Sequence, residues 1–500
     1  MDRSQRGRLV PAVIVRRKMH EPASRSMTLT SWPFVAFVAV TFALYYLPIL
    51  RQWQVQILVL ASLCFYGALQ PQLLALLVVA VLGTYFFLRV ATPRRSLGLA
   101  AGIAFNLGLL AFFKYKFLFV DAATPSSQAL SYQVLSYQAL SYQDPGAIDW
   151  LLRLPLPIGI SFFVLHNISL LIDLGKPGRA IPAAKDVLLH ILFFPQLVAG
   201  PITRTENFLP QIKPKWLADV ALVEAAKWLV AGYFFKLFVA NNLDQITTNM
   251  EYPLYEALTA KNRWLCVFLY SYQIYADFFG YSAIAIGLAL LFGYRLPKNF
   301  NLPYISTSFA QFWRRWHISF STWLRTYLYI PLGGNREGNT RLYFNLMIVM
   351  GLGGLWNGAA IGYLAWGLLH GLFLVAERPL LPRIDALATG KRWRFLAQSL
   401  RVGLVFFLVS MAWILFKLPN FQHAVDYLHG MFVEADISRP YHLYNSLALL
   451  YSLPVVLQHA VPRHFLEHQR ARLEPYLYGL MATLMLVEAG PTSPFIYFQF

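Results

Sequence analysis

SWPFVAFVAVTFALYYLPIL, residues 31–50, contains no charged side chain. A run of this length and apolarity matches the roughly 20 residues a helix needs to cross a hydrocarbon core of about 30 Å. Ahead of it, residues 1–30 carry seven basic side chains (Arg3, Arg6, Arg8, Arg16, Arg17, Lys18 and Arg25) against Asp2 and Glu21. A signal peptide would place a small-residue cleavage site just behind a short apolar core. Here no A-x-A-like site intervenes before a second apolar run. The reading is a basic cytosolic tail over 1–30, a first uncleaved span over 31–50, and one membrane-embedded domain over 31–500.

Further apolar runs fall near 55–69, 72–90, 97–120, 156–172, 184–199, 222–240, 264–292, 343–377, 399–416, 443–458 and 474–488. Of the 500 residues, 57% are hydrophobic and only 13% charged, with mean hydropathy +0.49. Soluble domains carry about 25% charged residues, so a soluble enzyme and a disordered chain are both excluded. The expected fold is an all-α polytopic membrane protein of about 11–13 transmembrane helices. Runs too short to span are expected as re-entrant or interfacial helices, whose backbone must be covered by protein or line a water-filled cavity.

The formal net charge of +19 comes from 42 Lys and Arg against 23 Asp and Glu. No soluble basic recognition module accompanies it, so a nucleic-acid partner is not expected; cytosolic loops and anionic lipid account for such a surplus. Cys64 and Cys266 lie in apolar runs and offer neither a disulfide framework nor a metal site. The tandem QALSY, QVLSY and QALSY at 128–142 read as a duplication in a tolerant loop. The loop 294–341 holds Arg295, Lys298, Arg314, Arg315, Arg325, Arg336 and Arg341 against Glu337 alone, which assigns this face to the cytosol. Aromatic residues interleave with these charges, as in a helix lying at the membrane interface. Such a surface suits either anionic lipid or the phosphates of an anionic donor.

Seven fragments now become specific. LPIGISFF (156–163), FFPQLVAGPITR (193–204), SYQIYADFFGYSAIAIGLALLFGY (271–294), FWRRWHISFSTWLRTYLYIPLGGNR (312–336), GLGGLWNGAA (351–360), WGLLHG (366–371) and FIYFQF (495–500) resemble, in this order, one family. It is the membrane-bound O-acyltransferases, in the branch that O-acetylates exopolysaccharides such as alginate or cellulose; the most diagnostic part is 271–378. The resemblance implies a helical membrane core around a central channel and acyl transfer from a cytosolic thioester, acetyl-CoA being the expected co-substrate, with no bound cofactor and no metal. It implies a place in the bacterial inner membrane with the N-terminus cytosolic. It also implies a periplasmic esterase-like partner of the SGNH type and polysaccharide export machinery alongside.

Carried over position by position, the family's histidines fall on His317, in FWRRWH, and His370, in WGLLHG. The one usually regarded as catalytic, in an LWHGA motif, falls on Asn357. The aspartates of the family's GYSD and LRDY motifs fall on Ala283 and Thr326, while Asp277 remains. His317, Asn357 and His370 are therefore the candidate catalytic set. Asp277, Arg314, Arg315, Trp316, Arg325 and Trp356 are the candidates for lining the donor site or channel.

Acyl transfer to a hydroxyl needs a group that accepts the hydroxyl proton, and imidazole titrates near working pH. An amide can orient a hydroxyl or polarise a carbonyl but cannot accept that proton. Three accounts stand: lost catalysis with a retained channel or assembly role, His317 or His370 acting as base, or a variant or misread residue at 357. Asn357 and His370 are 13 residues apart, which on one straight helix puts them about 140° apart in azimuth. They could meet only if Gly358, Gly362 or Gly367 breaks the segment. His166 and His190 read as core or channel lining. The glycines 351, 353 and 354 read as close helix packing, with a substrate passage as the sharper alternative.

Overall fold

The computed structural model describes residues 27–90, 95–120, 154–176, 178–387, 390–433, 445–461 and 463–496. The tail up to residue 26, the QALSY-type repeat and residues 497–500 lie outside the described residues. Among the described residues every regular element is a helix. Among the described residues six helical stretches are long and apolar enough to cross a membrane: Pro48–Leu69, Pro71–Val90, Ser96–Lys116, Ala260–Leu291, Ile361–Ala386 and Lys391–Lys417. Three shorter apolar helices, Trp32–Tyr46, Ile160–Leu174 and Ser446–Ala460, accompany them. The chain is an all-α, multi-pass membrane protein.

The helices used below are α1 (Trp32–Tyr46), α2 (Gln54–Leu69), α3 (Leu74–Val90), α4 (Arg95–Val120), α5 (Ile160–Leu174), α6 (Ala184–Leu192), α7 (Leu222–Tyr233), α8 (Ala260–Leu291), α9 (Phe309–Trp313), α10 (Ile318–Leu324), α11 (Gly338–Asn357), α12 (Ile361–Leu387) and α13 (Lys391–Lys417).

Ser31 caps α1 by accepting from the Phe34 amide, and the helix stops at Tyr46. Leu47 is extended (φ −62°, ψ 125°) because the following Pro48 disfavours the helical region at the residue before it. At 1.5 Å per residue α1 is about 22 Å long, shorter than the span read over 31–50. The run at 184–199 likewise divides, α6 ending before Phe193 and a short turn of helix following at Phe194–Leu197. The run at 222–240 changes from α7 into a π-helix over Phe234–Ala240.

The long helix α8 is the centre of the molecule. Of its most apolar window 89% is buried, against 28–39% in the other five long stretches. Those outer helices instead present Val79, Leu82 and Phe86 on α3, and Leu400, Leu404 and Phe407 on α13, at the surface, as lipid-facing helices should. Where two helices meet closely the residues are small, because in lipid the contact rests on packing rather than on a hydrophobic drive. A Cβ on Gly232 of α7 would lie 2.8 Å from the carbonyl oxygen of Gly280 on α8, and the reverse holds at the same distance.

The α11–α12 hairpin repeats the device. A Cβ on Gly354 would sit 2.2 Å from the Tyr363 carbonyl oxygen, and one on Gly367 would sit 2.3 Å from that of Met350. Of the three glycines in 351–354, Gly354 is thus the one that packs backbone against backbone. Gly354→Leu is expected to lose at least about 1–3 kcal/mol of stability, read as a lower Tm of the detergent-solubilised protein. Gly403→Leu is the control, since nothing lies within 4 Å of a Cβ there, and its Tm should not fall.

Candidate active site

The FWRRWH segment folds as α9, a turn, and α10. Ser308 caps α9 by accepting from the Gln311 amide, and Glu377 on α12 accepts from the Phe309 and Ala310 amides at 2.5 and 2.7 Å. His317 then takes φ 42°, ψ 53° as the residue before α10. A left-handed conformation costs a residue with a Cβ roughly 1–2 kcal/mol, so the surroundings must hold it. Asn299 does much of this: its carbonyl accepts from the Ile318 amide at 2.9 Å, and its Oδ1 accepts from Ser319 Oγ at 2.6 Å. Its Nδ2 donates to Ser282 Oγ on α8 at 3.0 Å. Ser319 Oγ in turn accepts from the Ile202 amide at 3.0 Å, which draws the FFPQLVAGPITR segment to the same turn.

The buried His317 ring lies in an aromatic box. Its centroid is 4.6 Å from Phe278, 5.0 Å from Phe320, 6.0 Å from Trp356 and 6.5 Å from Phe162. Trp356 stacks on Phe320 at 4.2 Å, and its indole N–H donates to the Ser161 carbonyl at 3.1 Å. Asn357 is the last residue of α11. Its Nδ2 donates to the Gly353 carbonyl at 2.8 Å, while its buried Oδ1 has no hydrogen-bond partner among the described residues.

Two residues of α4 reach the end of α11, where carbonyls have no partner within the helix. Tyr115 Oη donates to the Leu355 carbonyl at 2.7 Å, and Lys114 Nζ donates to the Trp356 carbonyl. Lys114 Nζ also donates to Ser161 Oγ at 3.3 Å and sits 5.8 Å from the centre of the Trp356 ring. Neither Lys114 nor Ser161 was singled out from the sequence, although FFKYKF places two lysines inside the apolar run 97–120. The rule that an intramembrane ionisable side chain is functional unless shown otherwise would have found them.

The α11–α12 segment does break, at Gly358–Ala360, but the turn does not bring His370 to Asn357. His370 lies nine residues into α12, about 13 Å along the axis, level with Met347 and Met350, which border Gly371. It is enclosed by Trp366, Trp313, Phe373, Phe312 and Trp413 at 4.9–6.4 Å between ring centroids. Neither ring nitrogen has a hydrogen-bond partner among the described residues. Trp316 connects the two regions, stacking on Phe312 at 5.6 Å beside the Phe312–His370 stack.

Arg314 and Arg325 are exposed, as are Arg295, Lys298, Arg336 and Arg341. Arg315 is half-buried and donates to the Leu302 carbonyl at 3.3 Å. Asp277 makes a buried ion pair with Lys236 of the π-helix at 2.6 Å, and its second oxygen accepts from the Ile496 amide at 2.8 Å. It also borders a cavity of about 50 Å³ shared with Asp244, Glu251, Gln273, Lys417 and Ser493, large enough for a few waters. His166 accepts from the Thr203 amide at 3.0 Å and faces His190 at 5.8 Å. Among the described residues no group of three or more His, Cys, Asp or Glu is placed to hold a metal ion.

The FWRRWH and GLGGLWNGAA fragments thus meet at one buried centre, with His317 on one side and the end of α11 on the other, while His370 of WGLLHG stands apart in its own aromatic cage. Comparison with known proteins gives the family. The profile of the membrane-bound O-acyltransferase family matches residues 128–418. The chain is 34% identical over 409 residues to the probable alginate O-acetylase of Pseudomonas putida, covering 80% of this chain and 79% of that protein. It is 33% identical over 407 residues to the peptidoglycan O-acetyltransferase of Helicobacter pylori, covering 75% and 73%. To the teichoic acid D-alanyltransferase of Bacillus subtilis it is 29% identical over 240 residues, covering 43% and 58%. The chain belongs to the membrane-bound O-acyltransferase family.

Proposed function

We propose that the protein transfers an acyl group, acetyl in the simplest case, from a cytosolic thioester such as acetyl-CoA to hydroxyls of an exported polysaccharide of the alginate or cellulose kind. The reaction would take place in the bacterial inner membrane, with the N-terminus cytosolic and the basic loop 294–341 meeting the donor. A periplasmic esterase-like partner of the SGNH type would complete delivery to the polymer beside the export machinery. One observation carries this reading: the strained, buried His317 faces Trp356, next to Asn357, at the position where the family motif has its reacting histidine. His317 contributes to the reaction centre and Asn357 orients the incoming hydroxyl through its free Oδ1. His370, one aromatic layer away, supports the fold of that centre.

A second reading is favoured by Asn357 itself, whose amide cannot accept a proton: a silent family member that serves export or assembly. Both are tested with purified protein in proteoliposomes, supplied with radiolabelled acetyl-CoA and a soluble oligosaccharide acceptor. Thioester turnover above empty vesicles supports catalysis. No turnover in the parent, with a gain of about 100-fold or more over background in Asn357→His, supports the silent reading.

A further inference from the structure

We infer that Lys114 is the general base of this chain, supplied from α4 to the place where the family motif would have set a histidine at 357. The inference rests on the acyl-transfer reading above. Three observations carry it. The amine is buried within a membrane-spanning helix, and no carboxylate pairs with it among the described residues. It lies against the Trp356 carbonyl, one residue from Asn357, and against Ser161 Oγ. Among the described residues its hydrogen bonds number two, and both are donated.

Donor counting gives this arrangement its meaning. An ammonium carries three N–H groups and no lone pair, so one donor and a full charge would be left over beside the Trp356 ring. A neutral amine has two N–H groups and one lone pair. The Trp356 carbonyl and Ser161 Oγ take both donors, and the lone pair remains for a proton. Lysine, unlike arginine, can give up its proton when desolvated and then serve as a base. The Oδ1 of Asn357, adjacent to the carbonyl that anchors the amine, supplies an acceptor that can hold a neighbouring hydroxyl of the sugar.

The step balances without a further reactant. As the acceptor oxygen attacks the thioester carbonyl, its proton passes to Nζ. The C–O bond forms, the C–S bond breaks, and the ammonium returns the proton to the departing thiolate. Lys114 is restored, and the products are the ester and the free thiol.

The test uses the full chain in proteoliposomes with labelled acetyl-CoA and the oligosaccharide acceptor. Lys114→Arg keeps donors for the Trp356 carbonyl and Ser161 Oγ but cannot accept a proton; it should lose about 10²–10⁴-fold in transfer. Lys114→Met should lose as much. Asn357→His added to Lys114→Arg should recover at least about tenfold, because imidazole restores a base at the same end of α11. The Tm of Lys114→Arg checks that the fold is kept. If Lys114→Arg retains activity within about threefold of the parent, Lys114 acts only as a cation or helix cap and the inference is wrong. Loss in Lys114→Arg without recovery by Asn357→His overturns it as well. A parent with no turnover overturns the acyl-transfer reading itself, and Lys114 with it. A parent with turnover and an active Lys114→Arg overturns Lys114 alone.

Discussion

Asp277→Asn alone is expected to cost about 3–5 kcal/mol of stability, and adding Lys236→Met is expected to return most of the loss. The two side chains are 4–5% exposed and 2.6 Å apart, so each is the chief counter-charge of the other. Removing the carboxylate leaves a buried ammonium whose remaining contacts are the Ser493 carbonyl at 3.0 Å and the Ser493 hydroxyl at 3.4 Å. The carbonyl oxygen of the substituted side chain would still accept from the Ile496 amide, so the loss reports the charge and not the hydrogen bond. Removing both charges trades a desolvated pair for apolar packing beside Tyr281 and Phe495, which stack at 4.1 Å. Thermal unfolding of the parent, both single variants and the double variant in one detergent measures the cycle. Additive single losses in the double variant would rule out the pairing. A loss below about 1 kcal/mol in Asp277→Asn would show that the pair is solvated.

That pair illustrates what a single sequence conceals. Asp277 was legible as an acid in an apolar run, but its partner lies 41 residues earlier on a segment that reads as one plain apolar stretch. Nothing in the spacing announces that the helix widens to a π-helix at Phe234–Ala240, and such insertions are frequent at functional sites. The membrane class, by contrast, follows from composition, since an apolar surface of this extent is stable only in lipid. Of the three glycines at which the 343–377 run could break, the structure uses Gly358, which follows the last residue of α11. The end of α1 was missed at Leu47, where a run of apolar residues hid the constraint that Pro48 imposes.

The site was legible in the same uneven way. His317 and the 356–357 end of α11 were named from motifs and prove to be neighbours through Trp356. The residues that hold them were not named, because Asn299, Ser161, Ser319 and Lys114 act through partners far along the chain: Lys114 reaches the Trp356 carbonyl across 242 positions. His370 was named for the same reason as His317, yet it occupies a separate aromatic cage. A motif records that a residue recurs in an order; only packing says which recurrences meet.

His317 separates backbone from side chain, and its substitution is expected to have the largest effect on rate. Its φ of 42° is a conformation that glycine adopts freely and that asparagine tolerates better than most residues. If the residue were there only to shape the turn, His317→Gly would relieve about 1–2 kcal/mol of strain and keep activity. The ring argues otherwise. It is buried among Phe278, Phe320 and Trp356, and it faces the end of α11, where the proposed acyl group and hydroxyl would meet. His317→Gly and His317→Asn are both expected to lose about 10²–10³-fold in kcat, with Tm within a few degrees of the parent for the asparagine variant. KM for the thioester should move far less, since the arginines proposed to meet the donor, Arg314 and Arg325 among them, keep their side chains. An asparagine variant that turns over at the parent's rate would reassign the imidazole to packing and leave the chemistry to the groups at the end of α11.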